Sequence, residues 1–173
     1  MQSKDGVVKQ AMSLIKNGMT VGLGGGSTVA LLAKSIHKSH LEQIRIVTLS
    51  EETKSVCTQL GFVVEDFNEV SKIHYAFDGC DRVDRQFQAL KTKGGIQTQE
   101  KIVAFLAEKY ILFADEEKFS DYLTFDLPIC CEILPNSLPV VKSALKQANA
   151  TITIRQQEDN EPIKLCMGIG SST

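Results

Sequence analysis

The sequence lacks the features that mark several large classes of protein. No apolar run approaches the length of a membrane span, and the opening stretch, MQSKDGVVKQ, has no apolar core of a signal peptide. The formal net charge of −2 gives no reason to expect nucleic acid or an anionic membrane as a partner. We therefore expect a cytoplasmic protein in which any anionic ligand is held by local features.

Recognisable cysteine and histidine motifs are also missing. The chain has five cysteines, an odd number, and none of them forms a C-x-x-C pair. This pattern fits neither a disulfide framework nor a zinc site, so we expect buried, reduced thiols. The three histidines are scattered and show no metal-ligand or Ser/His/Asp spacing. No bound metal is therefore expected.

What the sequence does contain is an alternation of strand and helix patterns along its 173 residues. Apolar residues at helical spacing and short apolar runs, bounded by glycine and asparagine, define these elements. The predicted helices cover residues 7–15, 29–36, 51–60, 97–110 and 140–148. The predicted strands cover residues 19–23, 44–49, 62–64, 73–77, 111–114, 127–135, 151–155 and 163–167.

This alternation predicts an α/β fold with a Rossmann-like parallel sheet covered by helices on both faces. The pattern changes after Asp126, so we expect a Rossmann-like domain over residues 1–126 and a smaller, partial α+β domain over residues 127–173. Ligands in such folds bind beyond the carboxyl ends of the strands. Segments 24–28, 78–84 and 114–118 all follow predicted strands, so they could converge on one crevice.

A glycine-rich segment, VGLGGGSTVA, follows the first predicted strand. Glycines let backbone N–H groups approach a ligand, and the next helix offers its positive end, an arrangement that suits a phosphate. Ser27 and Thr28 add hydroxyl donors. The segment is not a Walker loop, since no lysine precedes Ser27, and it is not a complete G-x-G-x-x-G. A plain strand-to-helix turn explains this segment equally well on its own.

An acidic segment, DGCDRVD, follows the fourth predicted strand and carries Asp78, Asp81 and Asp84. Closely spaced carboxylates raise one another's pKa values, and they could move protons, bind a metal or bind sugar hydroxyls. Taken alone, however, the segment is better interpreted as a solvated acidic turn.

Two further segments carry charged candidates. Lys91 and Lys93 precede a glycine pair, and Glu100 falls in the first turn of the helix predicted next. The helix dipole favours a carboxylate there, so Glu100 needs no further role unless its surroundings raise its pKa for work as a general base. Lys118, in ADEEKF, lies either in an exposed loop or in the crevice as a binding cation.

The order of these segments resembles the type A ribose-5-phosphate isomerases. The family pattern reads Gly-Thr-Gly-Ser-Thr, Asp-Gly-Ala-Asp-Glu, Lys-Gly-Gly-Gly, Arg-Glu-Lys, Ala-Asp-x-x-Lys and Leu-Pro-Val-Glu-Val. The counterparts here are GGGST, DGCDR, KTKGG, QEK, ADEEK and LPICCEILP, with no detectable insertion or deletion between them. The resemblance covers nearly the whole chain, and its specificity comes from the order of the blocks.

The resemblance implies an isomerase that interconverts D-ribose 5-phosphate and D-ribulose 5-phosphate through an enediolate, in the pentose phosphate pathway and without a cofactor. It implies Glu100 as the proton-transferring base, with Asp78, Asp81 and Lys91 as the other catalytic residues. The substrate-binding residues that it implies are Gly25, Gly26, Ser27, Thr28, Gly94 and Lys118. It further implies a Rossmann-like domain with a smaller α+β domain, assembled as a homodimer or homotetramer.

The chain departs from the family pattern at several positions. Gly25 replaces the loop threonine, Arg82 replaces a glutamate, and Gln99 replaces an arginine. Thr92 and Lys93 replace glycines, and their Cβ atoms could block conformations with positive φ. The chain is also shorter than the family pattern. These departures leave open a sugar-phosphate sensor with little or no turnover. The incomplete glycine fingerprint leaves open a nucleotide-binding Rossmann protein, the weaker of the two alternatives.

Overall fold

The computed structural model describes residues 4–156. The chain divides into two compact units, Met1–Cys130 and Cys131–Thr173. The predicted boundary at Asp126 stays a prediction. The helices are α1 (Lys4–Leu14), α2 (Ser27–His37), α3 (Glu51–Gln59), α4 (Gln97–Leu106) and α5 (Leu138–Gln147). The strands are β1 (Thr20–Leu23), β2 (Arg45–Val47), β3 (Ile73–Gly79), β4 (Arg82–Asp84), β5 (Ala89–Leu90), β6 (Ala107–Phe113) and β7 (Phe119–Ser120).

The main sheet of the first unit has four parallel strands in the order β2-β1-β3-β6. Its strands are short and apolar because both faces are covered. One core cluster includes Val21, Leu23 and Phe77, packed against apolar residues of α1 and α2. A second cluster joins Ala76 to Val103 of α4. This architecture confirms the predicted α/β fold with a Rossmann-like parallel sheet.

A second, smaller sheet has the strand order β5-β4-β7. The β4–β5 hairpin is antiparallel, and its turn is organised by Asp84, a buried residue. Oδ1 of Asp84 accepts hydrogen bonds from the backbone N–H groups of Gln86 and Gln88, both at 2.9 Å. Asp84 therefore stabilises the hairpin turn. The sequence alone suggests a different role, in which Asp84 and Asp78 are closely spaced carboxylates that affect each other's pKa.

The helix predicted over residues 97–110 is wrong at its carboxyl end. It stops at Leu106, and residues from Ala107 onward form β6, which pairs in parallel with β3 from Ile73 to Gly79. The backbone groups of the buried strand β3 need hydrogen-bond partners on both sides. Pairing with β6 supplies them, and this outweighs the helical spacing of the apolar residues.

Three strand predictions also differ from the structure. Residues 62–64 form no strand, although Val64 makes an isolated parallel bridge to Ile46. No strand forms over residues 127–135 or 151–155, and residues 163–167 lie outside the described part of the chain. In the second unit, residues 131–156 contain α5, preceded by a 3₁₀ turn at Pro135–Ser137. Within residues 4–156, every helix is too short or too polar to cross a membrane.

Candidate active site

The carboxyl ends of β1, β3 and β6 lie side by side at one edge of the main sheet. The glycine segment leaves β1 at Gly24, whose N–H donates to the Phe77 carbonyl oxygen at 2.8 Å. The hydroxyl of Thr53, on α3, donates to the Gly24 carbonyl oxygen at 2.6 Å. These two bonds fix the glycine segment against the end of β3, where Asp78 lies.

Asp78 is enclosed by the protein and is only 2% exposed. Its Oδ1 accepts the N–H of Gly79 at 2.7 Å, and its Oδ2 accepts the hydroxyl of Tyr110 at 2.7 Å. A Cβ atom on Gly24 would lie 2.1 Å from the carboxyl carbon of Asp78. Glycine is therefore required at position 24 because the Asp78 carboxylate occupies the space of a side chain.

Lys91 joins Asp78 to Glu100. Its Nζ lies 3.1 Å from Asp78 Oδ2 and 3.3 Å from Glu100 Oε2, and it also donates to the Gly79 carbonyl oxygen. The side chains of Lys91 and Glu100 are each 12% exposed. We call Asp78, Lys91 and Glu100 the carboxylate cluster. It places two negative groups and one positive group at the sheet edge, largely out of water.

The pKa of Glu100 is raised above its ordinary value, first by burial and then by the negative charge of Asp78. The ammonium of Lys91 acts in the opposite direction without reversing the shift. A small cavity between Glu100, Asp78 and Ser50 adjoins the cluster. A largely buried carboxylate with a raised pKa, beside a cation, has the properties of a general base.

Asp81 anchors the segment that carries Lys91. Its Oδ2 accepts the backbone N–H groups of Thr92 at 2.7 Å and of Lys93 at 3.0 Å. Burial acts to raise the pKa of Asp81, but these two N–H groups and nearby lysines lower it below its ordinary value. Asp81 therefore stays ionised and fixes the backbone directly after Lys91.

The threonine and lysine that replace glycines after Lys91 do not disturb this segment. Neither Thr92 nor Lys93 has a positive φ, whereas Gly95 does, at 75°. The buried Thr92 hydroxyl donates to the Pro128 carbonyl oxygen at 2.6 Å and accepts the N–H of Cys130. The expected steric conflict is thus absent, and the Thr92 side chain instead ties the segment to residues 128–130.

A larger cavity, of about 170 Å³, opens beside the glycine segment, and we call it the glycine-loop cavity. The predicted residues Gly25, Gly26, Ser27, Thr28 and Lys118 all line it, together with Lys4 of α1. Ser27 begins α2, so the positive end of that helix faces the cavity. Asp115 also lines the cavity, but its single negative charge is outweighed by two lysines and a helix N-terminus, which together with two hydroxyls favour an anion.

Lys4 is the residue that the sequence motifs missed. Its Nζ donates to Ser27 Oγ at 2.9 Å, which places an ammonium group beside the helix N-terminus. No motif surrounds Lys4 in the sequence, and 23 positions separate it from Ser27. Only the packing of α1 beside α2 brings the two together, so the folded structure alone identifies it.

Several positions that stand out in the sequence line neither cavity. These include Asp81, Lys91 and Gly94, although Lys91 contacts Glu100, which lines the smaller cavity. Arg82, at the position of a family glutamate, makes a bidentate contact with the Asp126 carboxylate at 3.0 and 2.6 Å. Within residues 4–156, no group of three or more His, Cys, Asp or Glu side chains could hold a metal ion.

Comparison with known proteins identifies one family over most of the chain. A family model described as ribose 5-phosphate isomerase A (phosphoriboisomerase A) matches residues 45–165. The ribose-5-phosphate isomerase A of Prochlorococcus marinus strain MIT 9211 is 37% identical over 163 residues, which cover 91% of this chain and 68% of that protein. The Thermococcus kodakarensis protein of the same name is 33% identical, covering 89% and 69%.

Solved structures give the same result. A ribose 5-phosphate isomerase A from Methanocaldococcus jannaschii superposes with a TM-score of 0.80 at 32% identity, covering 92% of this chain and 72% of that one. A D-ribose-5-phosphate isomerase in complex with phospho-erythronic acid superposes with a TM-score of 0.82 at 29% identity, covering 92% and 71%. Fold, identity and coverage agree, and the chain belongs to the ribose 5-phosphate isomerase A family.

Proposed function

We propose that this chain interconverts D-ribose 5-phosphate and D-ribulose 5-phosphate, with Glu100 as the base that moves the proton. The observation that carries the proposal is the contact of Lys91 with Glu100 at 3.3 Å, in a cluster where burial and Asp78 raise the pKa of Glu100. The names of the relatives support the substrate pair. The reaction belongs to the pentose phosphate pathway.

The aldose-to-ketose direction breaks the C2–H bond and forms a C1–H bond. Glu100 takes the proton from C2, and the electron pair moves through C2–C1 onto the carbonyl oxygen, which gives an enediolate. Lys91 stabilises the developing oxyanion. Glu100 then returns the proton to C1 while the hydroxyl proton passes from O2 to O1, and Asp81, kept ionised by its N–H partners, assists that transfer.

The glycine-loop cavity binds the phosphate in this proposal. Lys4, Lys118 and the hydroxyls of Ser27 and Thr28 line it together with Asp115, and the two ammonium groups and the N-terminus of α2 attract the phosphate dianion. Holding the phosphate in this cavity positions the sugar carbons, because a fixed distance along the sheet edge then separates the phosphate from Glu100. We expect phospho-erythronic acid, the ligand of one structural relative, to bind here as well.

A coupled isomerase assay on the wild-type chain and Glu100→Gln tests the proposal. We expect the substitution to lower kcat about 10²–10⁴-fold, the usual contribution of a general base, without abolishing binding of phospho-erythronic acid by calorimetry. The matched control is Glu108→Gln, since Glu108 lies on the exposed surface and pairs with Lys72. Thermal stabilisation by ribose 5-phosphate with no product, in the wild type, would instead indicate a sensor and contradict the proposal.

The cytoplasmic location and a homodimer or homotetramer are part of the same proposal. They rest on the properties of the family, and light scattering of the purified chain measures the oligomeric state directly. A strictly monomeric chain with full isomerase activity would remove the oligomer from the proposal and leave the chemistry intact.

A further inference from the structure

Tyr110 contributes a polar group to the carboxylate cluster that no motif of the sequence indicates. It lies on β6, paired with Ala76 of β3, and its hydroxyl donates to Asp78 Oδ2 at 2.7 Å. Burial, followed by the negative charge of Asp78, raises the pKa of Tyr110 well above its ordinary value. The phenol is therefore neutral throughout the working pH range, and it acts as a hydrogen-bond donor to a carboxylate that can only accept.

The same oxygen of Asp78 contacts two donors. Oδ2 accepts from Tyr110 at 2.7 Å and lies 3.1 Å from the Lys91 ammonium, which in turn lies 3.3 Å from Glu100. The ammonium is thus shared almost equally between two carboxylates. Asp78 is buried, and Gly24 packs directly against its carboxylate. The Tyr110 hydroxyl is therefore the second side-chain donor to Oδ2, beside Lys91.

We propose that Tyr110 is a positioning residue for the isomerase reaction, since its hydrogen bond to Asp78 leaves Lys91 close enough to Glu100 to act on the substrate. The inference rests on the proposed function of Glu100 and Lys91. Tyr110 itself acts through Asp78 and Lys91. Its hydroxyl satisfies part of the Asp78 negative charge, so the ammonium is not drawn fully to Asp78.

The direction of the effect follows from the charges around the two groups. Glu100 faces Asp78, Asp81 and Lys91, and Tyr110 faces Asp78, Glu100 and the Cys80 thiol. Without the Tyr110 hydroxyl, Lys91 is the remaining side-chain donor to Asp78 and moves toward it. Glu100 then loses part of the interaction that favours its ionised form, and its pKa rises further.

The test compares Tyr110→Phe with Tyr75→Phe. Tyr75 is on β3 but stacks on Phe77, on the opposite face of the sheet from Asp78, so its hydroxyl can be removed without touching the cluster. The first readout needs no substrate: the Glu100 carboxyl is titrated by NMR in ¹³C-labelled protein, with Glu100→Gln assigning its resonance. The second readout is the acidic limb of the kcat/KM profile, which reports the free enzyme.

We expect the Glu100 pKa to rise by about half a unit or more in Tyr110→Phe, with the acidic limb moving to higher pH by the same amount. Tyr75→Phe should match the wild type. An unchanged or lowered Glu100 pKa in folded Tyr110→Phe overturns the inference. A fall in activity alone does not support it, because a purely structural role of Tyr110 would also lower activity. If the wild type proves inactive, the proposed function fails, while the titration still decides whether Tyr110 positions Lys91.

Discussion

Two parts of the sheet edge differ in how far their polar groups are paired within the protein. In the carboxylate cluster, Asp78 makes hydrogen bonds through both oxygens, and Lys91 contacts two carboxylates. In the glycine-loop cavity, Lys4 contacts a hydroxyl and Lys118 lies 3.9 Å from a carboxylate that is more than half exposed. The cluster is preorganised for charge that develops during a reaction, whereas the cavity leaves its cations available to a ligand.

This difference in pairing predicts which kinetic parameter each part controls. A prepaired, dry cluster changes little when substrate binds and acts mainly on the transition state. An open cavity with cations gains most of its interaction on binding itself. Substitutions in the cluster should therefore lower kcat, and substitutions in the cavity should raise KM. The next two predictions test that division, and a third tests the segment that carries Lys91; they run from the largest expected effect to the smallest.

Of these three substitutions, Lys91→Met should produce the largest loss of kcat. Without the ammonium, the oxyanion of the enediolate loses its nearby cation, so we expect kcat to fall about 10²–10³-fold with little change in KM. The buried Asp78 and the largely buried Glu100 carboxylates then face each other without a cation. This raises the pKa of Glu100, and the acidic limb of kcat/KM should move to higher pH. Steady-state kinetics across pH measures both effects.

The control for this substitution is Lys72→Met, since Lys72 is half exposed and pairs with Glu108 on the surface. It should leave kcat unchanged. A rise in KM alone in Lys91→Met would show that the cluster acts in binding, and the contrast between the two parts would then be lost.

Lys4→Met should produce the next largest effect, and this effect should be on KM. A charge-assisted hydrogen bond to phosphate contributes about 1.5–3 kcal/mol, so we expect KM for ribose 5-phosphate to rise about 10–100-fold while kcat stays near the wild-type value. Lys9→Met, on the exposed face of the same helix, is the matched control. An equal fall in kcat would place Lys4 in the chemical step and contradict the division.

Thr92→Val should produce the smallest effect on catalysis and act mainly on stability. The Pro128 carbonyl oxygen and the Cys130 N–H lose their shared partner, and the loss of two hydrogen bonds should lower the free energy of unfolding by about 1–3 kcal/mol. Urea denaturation measures it, with Thr58→Val, an exposed position on α3, as the control. An unchanged midpoint would show that Thr92 does not hold the segment after Lys91.

The sequence alone was sufficient for the features that depend on local spacing. The apolar runs of β1 and β3 and the helical spacing of α2 appear where they were predicted, because buried strands and amphipathic helices have different periods. The end of α4 could not be predicted in the same way. Residues 107–110 fit a helix locally, and only the need of β3 for a neighbouring strand decides their conformation.

The candidate site shows the same contrast between residues found by local motifs and residues placed by long-range packing. The motif order pointed to Glu100, Lys91 and Asp78, and the structure brings these three into contact. Lys4 and Tyr110 escaped notice because their partners, Ser27 and Asp78, lie 23 and 32 positions away. Contacts of that kind arise from the packing of whole elements, and a single sequence carries no local signal for them.

The three successive glycines after β1 look interchangeable in the sequence, yet the structure gives each a different tolerance for change. Gly24 has no room for a side chain beside Asp78, and Gly26 has a φ of 95° that other residues rarely adopt. A Cβ at Gly25 would lie 3.6 Å from Ser50 Oγ, an ordinary contact. Of the three glycines, only Gly25 can therefore take a side chain without a steric conflict or backbone strain. It is also the position at which the chain differs from the family pattern.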